Sequence, residues 1–162
     1  MTDASGPGSH VVYQDFIVTS AQNALLSFSL FIGNRANGFF TPASLDFSTP
    51  ALNQQARVDI VKAGAAPFSV AASDVLLNLY QTHSGDPLIS GYSTLTFDLT
   101  SLFSANVGQT LRLRFAEADN VFSFQFGVDN VSLETSAAAA EPSSLLFVGT
   151  GLLALLGMRR RG

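Results

Sequence analysis

Residues Ser93–Thr100 read STLTFDLT, and this stretch decides the class of fold. Leu95, Phe97 and Leu99 take every second position, with Thr94, Thr96, Asp98 and Thr100 between them. Side chains of an extended chain point alternately to opposite faces, so this pattern makes one apolar and one polar face. It is the signature of a half-buried strand. Downstream, Leu111, Leu113 and Phe115 alternate with Arg112 and Arg114. Phe122, Phe124, Phe126 and Val128 form the next apolar face, and Val131 and Leu133 continue it in the opposite phase. That phase change predicts a bulge, or a turn between two short strands, at Asp129 and Asn130. Upstream, Val58 and Ile60 lie opposite Arg57 and Asp59, Leu26, Phe28, Leu30 and Ile32 alternate, and Val11–Val18 is a first strand. Val75–Tyr80 is more uniformly apolar, as expected of a buried strand.

Turn-forming residues separate these runs: Gly33 to Gly38, Thr49-Pro50, Gly64 to Pro67, Ser84-Gly85-Asp86-Pro87 and Asn106-Val107-Gly108. Ser101–Ala105 has the makings of a short helical turn, and no body segment carries a long 3.6-residue pattern. Seven or eight short strands without helices predict an all-β, two-sheet sandwich of jelly-roll kind.

The 162 residues suit one domain plus a tail, and 47% hydrophobic residues supply one core. Only 12% are charged, so solubility rests on Ser, Thr, Asn, Gln and Gly. A net charge of −4 and a single lysine, Lys62, argue against nucleic acid, which needs clustered Lys and Arg. With no cysteine, disulfides, thiolate metal sites and a Cys nucleophile are excluded. Fourteen Phe and no Trp make Phe the main aromatic core filler.

Residues 1–134 are expected to form the sandwich, followed by an Ala-rich linker at 135–140 and a distinct tail at 141–162. From Ser143 to Met158 the chain is uncharged and mostly apolar, and Arg159, Arg160 and Arg161 follow at once. Sixteen residues make a helix of about 24 Å, just sufficient for a bilayer when flanking residues join in and the arginines snorkel. The arginine cluster should stay cytoplasmic and leave the β-domain outside. The opening residues Met1–His10 lack the basic and apolar regions of a signal peptide.

The tail EPSSLLFVGTGLLALLGMRRRG closely resembles the PEP-CTERM sorting segment of exopolysaccharide-producing bacteria, a tail also classed as an ice-binding protein C-terminal segment. Glu141 and Pro142 match the last two motif residues, Leu145–Leu156 the apolar helix and Arg159–Arg161 the basic end; Ala140 replaces the first proline. The resemblance implies recognition, and cleavage near Glu141-Pro142, by an exosortase-type membrane protease. It implies an envelope location with the β-domain outside, released to the surface or matrix after processing. Members of that family carry a signal peptide, so the reading frame is expected to begin after a missing leader and first strand. The body resembles galactose-binding-like and carbohydrate-binding jelly rolls more loosely, through GQTLRLRFAEADN (Gly108–Asn120) and FQFGVDNVSLE (Phe124–Glu134). That second resemblance implies a structural calcium held by Asp129 and Asn130 with Asp15 or Asp3, against an Asx turn at the strand break.

Glu117 and Asp119, two apart, share a strand face, an arrangement that belongs to a solvated rim or a metal loop more often than to a glycosidase. His10 and His83, the only histidines, lie in turn-like polar contexts, and Gly91-Tyr92-Ser93-Thr94-Leu95 lacks the final glycine of a nucleophile elbow. The expectation is therefore a non-enzymatic protein. For sugar binding the available aromatics are Tyr13, Tyr80, Tyr92, Phe39 and Phe40. The two readings are an envelope or matrix protein sorted by its tail, and a carbohydrate-binding module acting on exopolysaccharide.

Overall fold

The alternation read from the sequence sorts seven strands into two antiparallel sheets. The computed structural model describes residues 6–20 and 23–136. Its elements are β1 (Gly8–Ile17), β2 (Asn23–Asn34), β3 (Gln54–Lys62), β4 (Val75–Gln81), β5 (Ile89–Asp98), α1 (Thr100–Ala105), β6 (Thr110–Asp119) and β7 (Phe124–Ser136). One sheet has the order β1-β6-β3-β4 and the other β5-β2-β7. The tail at 141–162, with its sorting motif and arginine cluster, lies outside the described residues. Thr135 and Ser136, read as linker, are the last residues of β7.

The core lies between the sheets. Leu26, Phe28, Leu30 and Ile32 of β2 meet Val58 and Ile60 of β3 and Leu111, Leu113 and Phe115 of β6. Phe28 is its centre: its ring stands edge-on to Phe115 at 5.3 Å and stacks on Phe97 at 5.4 Å. Each such buried ring removes enough apolar surface from water to contribute about 1.5–3 kcal/mol. At one end α1 drops Phe103 onto Phe16, and Phe39 packs edge-on to Phe124 elsewhere in the core. Leu99 is buried as expected, but at the start of α1 rather than in β5. Leu95 and Phe97 are half-buried against the cluster.

One expectation changes: β4, read as a buried strand from its apolar run, is the edge strand beside β3, and Leu77 is exposed. The face of β3 and β6 that carries Arg57, Asp59, Arg112 and Arg114, opposite the apolar core face, is buried as well. The connection from β3 to β4 folds over it, offering the carbonyls of Ala65, Pro67 and Ser69 to the arginines. The connection from β2 to β3 covers the rest: Leu45 packs on Ala116 and Ala118, and Gln55 donates to the carbonyls of Pro42 and Ser44.

The phase change near Asp129 is a β-bulge. The pairing of β2 with β7 slips between Ser27 and Ser29, and Asn130 takes φ 52°, the left-handed conformation Asn tolerates. The slip lets Val128 and Val131 both face inward.

Four strands face three, and the mismatch falls on one side. β1 and β7 are both edge strands, and a groove of about 500 Å³ between them is lined by Val12, Leu113, Phe115, Val128 and Val131. Val12 and Val131 remain 56% and 49% exposed there, although they point toward the core. Among the described residues β7 pairs with β2 alone.

Candidate functional site

Three places gather chemically active side chains. The first is the charge cluster under the loops. Asp59 on β3 accepts hydrogen bonds from Arg57 Nε at 2.7 Å, Arg57 Nη2 at 2.6 Å and Asn78 Nδ2 at 2.8 Å, and from Arg114 Nη2 across the sheet. Burial pushes the Asp59 carboxyl up, but the bonds from Arg57, Asn78 and Arg114 outweigh it and hold the group below its ordinary value. Nearby, Arg112 forks onto Asp15 at 2.6 and 3.0 Å and lies 3.9 Å from the centre of the Tyr13 ring. The Arg112 hydrogen bond keeps Asp15 ionised to lower pH than an ordinary Asp. Every partner of these arginines holds a strand or a loop in place, so the cluster is a clasp.

The second place holds Glu117 and Asp119 at the end of β6. They share a face, as the sequence requires, but that face is shut: both are buried, where a solvated rim or metal loop was expected. Asp119 Oδ1 accepts the amide of Gly8 at 2.9 Å, and His10, a strand residue rather than a turn residue, sets Nδ1 3.1 Å from Glu117 Oε1. A groove of about 320 Å³ opens beside Asp119, lined by Pro7, Asn120 and the exposed Phe122.

The third is the outer face of β5-β2-β7, which no described loop covers. Ser27, Thr94, Thr96 and Ser132 line it with hydroxyls, and the buried Ser29 sets its Oγ 2.9 Å from Thr94 Oγ1. Tyr92 is 59% exposed. The pairing of β2 with β5 slips between Leu30 and Ile32, so Gly91 and Tyr92 together stand opposite Phe31. Such a bulge re-aims a side chain, and Tyr92 is turned across β2 toward β7. A Cβ on Gly127 would meet Tyr92 Oη at 2.7 Å and Phe31 Cβ at 3.0 Å. The tyrosine thus lies over Gly127, its ring centre 5.7 Å from that of Phe31.

The aromatics singled out from sequence therefore separate. Tyr13 is engaged by Arg112, Tyr80 packs at the core margin, Phe39 is buried, and Phe40 bridges to Gln54. Only Tyr92 among them lies on an open, flat surface. The signal for it was legible: glycine inside a strand pattern, as in FQFGVDN, marks a close approach. Asn130 and Val131, together opposite Phe28, form the bulge on β7 beside Asp129, which pairs with Ser29, and Asp129 Oδ1 accepts the Asn130 amide at 2.8 Å. Asp15 does not join them: its pairing with Arg112 places it on the outer face of the other sheet. Asp3 lies outside the described residues. Among the described residues no group of three or more His, Asp or Glu is placed to hold a metal ion, and no helix is long and apolar enough to cross a membrane. In comparisons with known proteins, no family model and no curated protein matches the chain.

Proposed function

We propose that this is an exported bacterial envelope protein: a jelly-roll-like β-sandwich displayed outside the membrane and sorted by its tail. One observation carries the reading. Glu141-Pro142, an uncharged apolar run and Arg159–Arg161 occur in that order, beyond the last strand of the body and the alanines that follow it. The apolar run supplies a transmembrane helix, the arginines hold its end on the cytoplasmic side, and Glu141-Pro142 marks the point for an exosortase-type membrane protease. Processing there releases the sandwich to the surface or matrix. The reading assigns the body no catalytic step.

The test is the mass of the exported product. Expressed behind a leader in a host with an exosortase-type protease, the protein should lose the segment from about Glu141 onward, and Pro142→Ala should slow that loss. A mature product that keeps Arg159–Arg161 in the presence of the protease would overturn the reading.

A further inference from the structure

We infer that the outer face of β5-β2-β7 is a binding platform for a neutral polysaccharide, with Tyr92 as the stacking residue. A pyranose presents a flat array of C–H groups on one face and hydroxyls at its rim. It is bound by an aromatic ring lying open on a flat surface with hydrogen-bonding groups around it. This face supplies both. Gly127 leaves the space that lets the Tyr92 side chain lie across the sheet, and Phe31 supports the ring from beside it. Around it stand Gln125, Thr94 and Asp129, all exposed, with the Thr94 hydroxyl held by that of the buried Ser29. The strands make the floor rigid, so little order must be imposed when a chain lies down on it.

The charge on this face narrows the ligand. β2, β5 and β7 contain no Lys or Arg, while Asp98, Asp129 and Glu134 all lie on them. A uronic-acid or sulfated polymer would be repelled by three carboxylates with no cation on the strands to offset them. A neutral glycan meets acceptors for its hydroxyl protons. The extended row of hydroxyls along Ser27, Thr96 and Ser132 favours a chain over a single sugar. The inference stands apart from the sorting reading, because a protein that is never processed keeps the same face.

Affinity electrophoresis of the full-length protein tests it, in native gels holding hydroxyethylcellulose, galactomannan or dextran as neutral probes and alginate as the acidic one. The wild-type protein should be retarded in at least one neutral gel and run freely in alginate. Tyr92→Phe should keep the retardation, since the ring does the stacking. Tyr92→Ala should lose it, and so should Thr94→Arg, which obstructs the face without removing the ring. Thermal unfolding of each variant establishes that it is folded. The inference is overturned by a wild type that runs freely in all three neutral gels, or by equal retardation in alginate. A folded Tyr92→Ala or Thr94→Arg retarded as strongly as wild type also overturns it, since Tyr92 then only shields Gly127.

Discussion

Asp59 and Arg114 face each other on neighbouring strands, β3 and β6, and both side chains are wholly shut off from water on the side of the sheet that points away from the core. Arg57 and Asn78 complete the carboxylate's hydrogen bonds, and Nη1 of Arg114 donates to the carbonyls of Pro67 and Ser69. The pair ties a strand pairing to the loop above it. Removing one partner leaves a buried charge without compensation, which costs about 3–5 kcal/mol. Asp59→Asn should lower the stability of the body by that order in urea unfolding. A loss below about 1 kcal/mol would show that the loop rides on the sheet without being clasped.

The same carboxylate sets an acid limit. Asp59 titrates below its ordinary value of 3.8, so between the two values the unfolded chain binds more protons than the folded one. Its contribution is therefore full above about pH 4 and is lost as the pH falls through the folded value. Urea midpoints should drop steeply below pH 4 in the wild type and less steeply in Asp59→Asn. Parallel pH profiles for the two proteins would contradict this.

The register of β5 is open to a simple comparison. Phe97 stacks on Phe28 between the sheets, whereas Thr96 points to solvent. Phe97→Ala should cost about 3 kcal/mol, at the lower end for a core aromatic because the ring is half-buried. Thr96→Ala should stay within about 0.5 kcal/mol, as exposed substitutions do. Similar losses would mean that the two faces have been exchanged.

Much of this was legible in the sequence, and the exceptions share a cause. The alternation of Leu111, Leu113 and Phe115 located the inner face of β6, and the phase change at Asp129 located the bulge on β7. Ser101–Ala105 marked α1 within one residue. The burial of Arg57, Asp59, Arg112 and Arg114 was not legible, because alternation says that a face is polar, not whether it is wet. Their burial depends on carbonyls from residues 65, 67 and 69, which the chain brings back only in three dimensions. β4 misled for the converse reason: an apolar run gives no sign that its strand lies at a sheet edge. Tyr92 was visible as an exposed aromatic, but its flat posture needed both the bulge opposite Phe31 and the missing side chain at Gly127.

The groove between β1 and β7 has a solution consequence. Val12, Val131 and Leu133 are exposed apolar side chains beside two strand edges, an arrangement that favours association through unpaired backbone groups. A body ending at Ser136 should self-associate as its concentration rises, and Val131→Lys should suppress this without changing its circular dichroism. Sedimentation velocity checks it; equal association of both proteins would place the contact elsewhere.

The sorting claim is tested most directly by fractionating cells that make either the full chain or a chain ending at Ser136, each behind the same leader and without an exosortase-type protease. The full chain should pellet with membranes and resist extraction by high salt, and the shorter one should be recovered in the soluble fraction. Equal soluble recovery of the two would contradict the assignment of residues 141–162 as the segment that decides where this protein resides.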